Sequence, residues 1–188
     1  MYEKTLEKTK KRYIEIKNML STQQIIQKYG SPGDPKTTTT INLPYPMRLA
    51  WAPETTVKKT SCHTLVSQNF TNVFNQILSH YGYDEIKRLG IDLFGGIVNV
   101  RPMRGTESKH AAALRKGDYQ TAYTYLSRHA WGIAIDLDPA RNGLKTKWTN
   151  AQFSKAEYKA MVDIFYANGF MSYGRDRNYD AMHFEINQ

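Results

Sequence analysis

Hydrophobic and polar positions follow helical spacing over residues 3–29, where isolated apolar side chains stand among many lysines. Ser21 divides this stretch, because Gln24 follows it at the spacing of a capping box, in which serine and glutamine bond reciprocally to the first turn of a helix. The pattern therefore predicts a basic amphipathic arm over residues 3–19 and a separate short helix over residues 22–29. The arm is expected to pack on the domain as a solvated helix or, alternatively, to bind wall or membrane polymers.

Longer helices are predicted further along the chain. Apolar residues at helical spacing over residues 61–80 predict the main core helix, and a shorter helix is expected at 83–89. An alanine- and tyrosine-rich stretch at 107–126 predicts a helix broken near Gly117. Residues 151–168 predict an amphipathic helix that ends at an Asn-Gly pair, a common way for helices to stop.

The segments that resemble strands are shorter. A β-type run at 97–101 is stopped by Pro102, a second run spans residues 131–138, and a last one spans residues 183–186. Residues 41–51 are apolar but contain two prolines, which indicates an extended segment over the core and not a central strand. Long helices with scattered strands favour an α+β fold over a regular alternation of strand and helix.

Length and charge narrow the possibilities further. The 188 residues suit one domain, which we divide into a basic helical arm at 1–21 and a folded domain at 22–188. The formal net charge of +9 favours an anionic partner. Nucleic acid, anionic lipid and anionic cell-wall polymer all have this property, and charge alone does not choose between them.

The single cysteine, Cys62, excludes an internal disulfide and a Cys-x-x-Cys zinc knuckle. Five histidines supply the nitrogen ligands, so a metal site must combine histidine with carboxylates. The segment 1–8 is too charged for a signal peptide, and no apolar run approaches the roughly 20 residues of a membrane span. We therefore expect a chain that is made as a soluble intracellular protein.

His129 and Asp136 are a candidate pair for metal chemistry. They stand an odd number of residues apart, so in a straight strand their side chains would point to opposite faces. They can meet only if the chain turns between them, and Gly132 is where such a turn could occur. Asp136 lies in an otherwise apolar strand, where a carboxylate needs a partner such as a divalent cation.

A second cluster contains His183 between Asp180 and Glu185. Two histidines, one carboxylate and an open fourth position match a catalytic zinc site. Each of these residues taken alone could equally be a hydrogen-bonded structural residue.

The two clusters resemble a known family, the zinc peptidases that include D-alanyl-D-alanine carboxypeptidases and phage L-alanyl-D-glutamate endopeptidases. Upstream stretches at 29–30, 43–48, 92–96 and 99–105 are similar to the phage-encoded, endolysin-like branch, so that the resemblance covers roughly residues 22–188. Two motifs carry it, in this order: Ser127-x-His129-x-x-Gly132-x-Ala134-x-Asp136 and Asp180-x-x-His183-x-Glu185.

The resemblance implies that His129, Asp136 and His183 are the ligands of a Zn2+ ion. It implies that Asp180 is the general base that takes a proton from the attacking water. Glu185 is a rival for that role, because it shares a strand face with His183. The resemblance favours Asp180, and Glu185 is then expected to orient a ligand histidine from outside.

An arginine is implied at the substrate carbonyl, where its charge would stabilise the oxyanion. Either Arg101 or Arg104 fits, and Arg101 is preferred because it ends a predicted strand. Ser127 would shape the loop that carries the first ligand. Trp131 is close enough in sequence to the ligands to line the cleft, although a core position is also expected for it.

The implied fold has a small, mainly antiparallel sheet flanked by helices, with the zinc site in a cleft at the sheet, as in D-alanyl-D-alanine carboxypeptidases and the hedgehog-like fold. The implied function is that of a phage endolysin, an endopeptidase that cuts the L-alanyl-D-glutamate bond of peptidoglycan and lyses the host. Alternatives are a D-alanyl-D-alanine carboxypeptidase with the same site and a non-catalytic, zinc-containing wall-binding module.

The expected partners are the stem peptide of peptidoglycan and anionic wall or membrane polymers. Nucleic acid is not expected as a partner, because no motif that reads it is present. We expect a monomer. It is expected to stay in the host cytoplasm until it is released to the cell wall or periplasm. One departure from the family pattern is the long link at 106–126, which is expected to form a surface helix or, alternatively, a lid over the cleft.

Overall fold

The structure is a computed structural model that describes residues 20–187. These residues form one six-stranded mixed sheet with helices around it, which confirms the predicted α+β class. The predicted basic arm at 3–19 lies outside the described residues. The strands are β1 (Thr38–Leu49), β2 (Ala52–His63), β3 (Leu93–Gly96), β4 (Ala134–Leu137), β5 (Phe170–Ser172) and β6 (His183–Ile186). The helices are α1 (Thr22–Tyr29), α2 (Ser67–Leu89), α3 (Glu107–Arg115), α4 (Tyr119–Thr124), α5 (Pro139–Asn142), α6 (Lys159–Ala167) and α7 (Tyr173–Arg177).

The order of strands across the sheet is β2-β1-β3-β4-β6-β5. β1 pairs antiparallel with β2 and parallel with β3, whereas β4 pairs antiparallel with both β3 and β6. In the last of these pairs Asp136 lies directly opposite His183. The sheet therefore joins two segments that are far apart in the sequence, and it does so at the predicted chemical residues.

Helix α1 begins where the capping box predicts. The Ser21 hydroxyl accepts a hydrogen bond from the Gln24 backbone N–H at 3.2 Å, and the Ser21 backbone N–H donates to the Gln24 side chain at 2.8 Å. Ile25 and Tyr29 are buried on the side of the helix that faces the core. The short helix predicted over 22–29 is thus confirmed.

The main core helix is confirmed, but it begins later than predicted. β2 continues to His63, so α2 starts at Ser67 and Leu65 is 61% exposed. Gly82 has non-helical backbone angles and divides α2 into two parts, which agrees with a second helix near 83–89. The buried face packs into a core shared with the sheet and α6, through Phe70, Val73, Phe74, Ile77 and Ile86.

The prediction for residues 41–51 was wrong, because most of this segment is the interior strand β1. Pro44 and Pro46 lie between Asn42 and Met47, where the register between β1 and β2 shifts. A proline lacks the N–H that a regular ladder needs, and an irregularity in the pairing removes that need. The two prolines therefore mark an interruption inside a strand and not the absence of one.

The prediction of a strand at 97–101 was also wrong. The strand is β3, which ends at Gly96, and the residues after it are irregular with Val98 and Val100 exposed. A Cβ atom on Gly95 would lie 2.8 Å from the Cβ of Asp136, so this glycine allows β3 to approach β4 closely. The alternation of apolar and polar side chains did not reveal β3, because its last two residues are glycines, which have no side chain.

The remaining elements follow the predictions in part. The stretch at 107–126 forms two helices separated near Gly117, as expected. In the stretch at 151–168, short 3-10 turns come first and the α-helix covers only its end, α6. β6 matches the last predicted strand, whereas β2 and β5 were not anticipated. No helix among residues 20–187 is long and apolar enough to cross a membrane.

Candidate metal centre

The side chains of His129, Asp136 and His183 meet at one point at the centre of the sheet. Asp136 on β4 and His183 on β6 are cross-strand partners. His129 lies on a 3-10 turn that precedes β4, and Gly132 ends this turn in the left-handed conformation with φ 67°. The chain therefore turns between His129 and Asp136 at the glycine where a turn was expected.

Gly132 is required for a second reason, which is close packing. A Cβ atom at this position would lie 2.9 Å from the backbone nitrogen of His63. The His63 N–H donates to the Gly132 carbonyl at 3.0 Å, so the end of β2 holds the turn directly. A side chain here would displace the turn that places His129.

The distances within the group fit a metal ion. The Nε2 atom of His129 lies 3.2 Å from Asp136 Oδ1 and 3.2 Å from His183 Nδ1, and the latter is 3.0 Å from Asp136 Oδ1. A tetrahedral ion with bonds of about 2.0–2.1 Å separates its ligand atoms by roughly 3.3 Å. All three residues are buried, and their ligand atoms could hold a metal ion.

Both histidines are hydrogen-bonded through the ring nitrogen that points away from the metal group. The Nδ1 of His129 donates to the Ile97 carbonyl at 2.8 Å, and the Nε2 of His183 donates to Glu185 at 3.1 Å. Each ring then directs its other nitrogen at the centre of the group, where it could bind a metal ion in place of a proton. Partners of this kind are what fix the tautomer and orientation of metal-binding histidines.

The electrostatics of the group favour positive charge at its centre. Burial opposes protonation of His183, but its contacts with Asp136 and Glu185 outweigh burial and raise its pKa to about 10. Burial likewise opposes ionisation of Asp136, but hydrogen bonds from the two histidines hold its pKa well below the usual range. A divalent cation would satisfy this attraction in place of a proton.

Glu185 lies on the outer side of His183. It contacts the ring nitrogen that points away from the group, and its other oxygen is 3.9 Å from Arg128. Burial tends to raise the pKa of Glu185, but the hydrogen bond with His183 and nearby charges lower it overall. The carboxylate is therefore ionised and already engaged with the histidine, which is the position of an orienting group.

Asp180 has a buried carboxylate, and one of its oxygens has no hydrogen-bond partner among the described residues. Its Oδ1 makes no hydrogen bond to any residue within 20–187, and burial raises the pKa of this carboxyl. The backbone is in the left-handed region at φ 54°, which is uncommon for a residue with a side chain. Strain of this kind often marks a functional site, and Asp180 lines the same cavity as Asp136 and His183.

Two cavities border the group. One of about 290 Å3 reaches Asp136, His183 and Asp180, and another of about 330 Å3 reaches Asp136 and His129. Asp136 lines both cavities, so the metal group borders each of them.

Arg101 and Arg104 line both cavities. Arg101 is half-buried and Arg104 is exposed. The preference for Arg101 depended on a strand that does not form, so that argument no longer separates the two. Ser127 is buried beside the first cavity, and its backbone N–H donates to the Arg101 carbonyl at 3.1 Å. Ser127 therefore ties the loop that carries His129 to the arginine segment.

Trp131 lines neither of the two cavities. It is 4% exposed within the core, and its indole N–H donates to the Gly30 carbonyl at 2.9 Å. Trp131 therefore anchors the loop to the end of α1.

Tyr173 was missed by the sequence reasoning. Its ring lies edge-to-face against His183 with centroids 4.6 Å apart, and it lines the first cavity. It directly follows β5, the buried triplet Phe170–Ser172 that we did not interpret as a strand. That triplet, close before the motif containing Asp180, was the available signal.

Comparison with known proteins agrees with this geometry. Residues 120–186 match a peptidase family M15 model described as D-alanyl-D-alanine carboxypeptidase. The matched stretch contains all three residues of the metal group and Asp180, whereas the two arginines precede it. The match supports a peptidase, and the family suggests zinc as the metal. Searches of curated proteins and of solved structures gave no significant match.

Proposed function

We propose that this protein is a zinc endopeptidase that cuts the stem peptide of bacterial peptidoglycan at the L-alanyl-D-glutamate bond. The observation that carries the proposal is the buried His129, Asp136 and His183 group with Asp180 beside it, within a stretch that matches a peptidase family. In this role the protein acts as a phage endolysin that lyses the host cell.

The ligand set suits zinc. Two histidines, one carboxylate and an open position are a donor set that catalytic zinc uses, and no described cysteine lies at the site. When bound, zinc polarises a carbonyl and makes a water molecule more acidic. His129, Asp136 and His183 would hold the ion, and Glu185 would keep His183 oriented through its outer nitrogen.

Asp180 has the properties of the proton carrier. The residue lines the first cavity and has one unpartnered oxygen, and its raised pKa suits a group that first accepts a proton from water and then passes it to the leaving amine. Arg101 or Arg104 would place positive charge where the substrate oxygen becomes negative. Arg104 also acts electrostatically on Asp180, which favours its presence near the reacting atoms.

The two cavities favour an endopeptidase over a carboxypeptidase. An endopeptidase must accommodate the chain on both sides of the scissile bond, and two cavities border the metal group. A carboxypeptidase with the same site is the second candidate, and the description of the matching family favours it.

Product analysis separates these two candidates. Purified peptidoglycan is digested with the zinc-loaded protein, and the soluble products are identified by mass spectrometry. New N-terminal glutamate on the released peptides is expected. Free D-alanine as the product would instead establish the carboxypeptidase and defeat the endopeptidase.

A non-catalytic wall-binding module with structural zinc is the candidate from another class. The unpartnered oxygen of Asp180 argues against it, since a structural site has no use for a strained and buried carboxylate. Binding to peptidoglycan without any release of peptide would favour the module.

The setting of the reaction is part of the proposal. The partners are the stem peptide and anionic wall or membrane polymers, which the net charge of +9 would attract, and nucleic acid is not a target. The protein acts as a monomer that stays in the host cytoplasm until it reaches the wall. Expression inside bacteria, with and without a pore-forming partner, tests this: lysis is expected only with the pore.

A further inference from the structure

The two cavities differ in the chemistry of their walls. Asp180 and Glu185 border the first cavity but not the second, which shares only Asp136 and His129 with the metal group. The two sides of a bound peptide would therefore meet different surroundings.

The second cavity has an aromatic wall and an open floor. Trp51 lies in the turn between β1 and β2 and is 68% exposed, the highest exposure among the large hydrophobic residues described. The neighbouring Ala50 N–H donates to the Phe94 carbonyl at 2.9 Å, which holds this turn against β3. Gly96 forms part of the floor, and a Cβ atom there would meet nothing within 4 Å.

The lining of this cavity mixes polar and apolar side chains. Apart from the metal group, its polar side chains are Asn99 and the two arginines, which also line the first cavity. Val98 adds a further apolar surface. An exposed aromatic face beside polar side chains suits a ring that has an apolar face and a polar edge. A pyranose ring has this form, because C–H groups cover its faces and hydroxyl groups surround it.

The position of Asp180 sets the direction of the substrate. As the carrier that protonates the leaving amine, Asp180 must lie on the leaving side of the bond, which places that side in the first cavity. The acyl side then lies in the second cavity. For an L-alanyl-D-glutamate bond the acyl side is a single alanine, joined through a lactyl group to the amino sugar of the glycan strand. One residue spans only about 3.5 Å, so the sugar must lie close to the metal group.

We propose that the second cavity is a subsite for the amino sugar of the glycan strand, with the Trp51 indole stacked on the pyranose ring. This inference rests on the proposed function, from which it takes the bond that is cut and the role of Asp180. It makes Trp51 a residue that determines specificity for stem peptides still attached to sugar.

Kinetics on two substrates test the subsite. One substrate is a stem peptide linked to N-acetylmuramic acid, and the other is the same peptide without the sugar. Trp51→Ala should lower kcat/KM for the sugar-linked peptide about tenfold, the size expected when a tryptophan that contacts a ligand is truncated. The free peptide should be cut at an unchanged rate, and Trp51→Phe should keep most of the activity on both.

Leu65→Ala is the matched control, because Leu65 is 61% exposed and lines neither cavity. It should leave both substrates unaffected. An equal loss on both substrates for Trp51→Ala, or no loss on either, would overturn the subsite.

A binding measurement separates failure of the subsite from failure of the proposed function. Saturation-transfer NMR with N-acetylmuramoyl-L-alanine should show contact with the sugar protons in the wild type and in Leu65→Ala, and none in Trp51→Ala. Contact that persists in Trp51→Ala, or is absent in the wild type, overturns the subsite even if the enzyme cuts peptidoglycan. If the wild type cuts neither peptide, the proposed function fails, and this binding result still decides the subsite.

Discussion

Asp180 combines three features that are unfavourable for stability. It is buried, one of its oxygens is unpartnered within the described part of the chain, and its backbone is left-handed. An unsatisfied buried polar group and a strained backbone each cost free energy, so such residues persist mainly where function needs them. This is the physical reason to place the proton transfer at Asp180.

Replacing Asp180 should therefore remove activity without removing the metal. We expect Asp180→Ala to lower kcat by about 100-fold or more, the usual contribution of general acid–base catalysis. Bound zinc, measured by atomic emission, should stay at the wild-type level. Asp84→Ala, on the exposed surface of α2, is the control and should keep full activity. Full activity in Asp180→Ala would remove Asp180 from the mechanism.

The metal group itself can be tested through its histidines. His183→Ala leaves only His129 and Asp136 from the group, so the purified variant should lose its zinc together with its activity. His80→Ala is a matched control, because His80 is exposed near the end of the first part of α2. Zinc content equal to that of the wild type in His183→Ala would show that the ion is bound elsewhere.

Glu185 can be separated from Asp180 by its position. The Glu185 carboxylate contacts the outer nitrogen of His183, so Glu185→Gln should weaken zinc binding by about 10–100-fold, as for other residues that orient metal ligands. Activity should return when zinc is supplied in excess. A variant that stays inactive when fully loaded with zinc would instead identify Glu185 as the base.

At the scale of elements, the site depends on one short turn. The 3-10 turn before β4 places His129, and Gly132 then reverses the chain so that β4 brings Asp136 to the same point. β3 approaches Asp136 from the other side, where Gly95 leaves room for it. Two glycines thus allow the close approach of backbone that the site requires.

Gly132 and Gly117 separate backbone strain from steric clash. Both have positive φ, near 67° and 70°, but a Cβ atom would meet His63 at 2.9 Å only at Gly132. Gly117→Ala should lower the free energy of unfolding by roughly 1–2 kcal/mol through strain alone. Gly132→Ala should lower it further in urea unfolding and also reduce zinc content. Equal losses in both variants would show that the clash has no effect.

Several elements could be predicted from local patterns, and others could not. The capping box at Ser21 and the break near Gly117 were correct, because both depend on residues within a few positions of each other. β3 was placed wrongly and β1 was not recognised as a strand. Their positions depend on pairing with distant strands, and that pairing tolerates prolines at a register shift and glycines at a close approach.

At the scale of the whole molecule, net charge is the property that bears on function. Attraction of a chain with charge +9 to anionic polymers falls as salt shortens the Debye length from about 30 Å at 0.01 M to about 3 Å at 1 M. We therefore expect lysis of whole cell walls, followed by turbidity, to weaken as salt is raised.

Cleavage of a small, free stem peptide is the control for this experiment. It needs no attraction to a polymer, so its rate should change little over the same range of salt. A parallel fall in both rates would place the salt effect in the active site and not in wall binding.

The sequence by itself determined which chemistry was open to this protein. A single cysteine left histidine and carboxylate as the metal ligands, and the order of the two motifs carried the resemblance to zinc peptidases. These conclusions need only the identity and spacing of residues.

The tertiary structure decided how those residues act. It brought His129 and His183 within 3.2 Å of each other, turned Glu185 to the outer side, buried Trp131 in the core and placed two cavities beside the group. The contacts of the two histidines and of Trp131 could not be obtained from local spacing, because they join segments far apart in the chain. Only the pairing of β4 with β6 and the packing around it specify which of them meet.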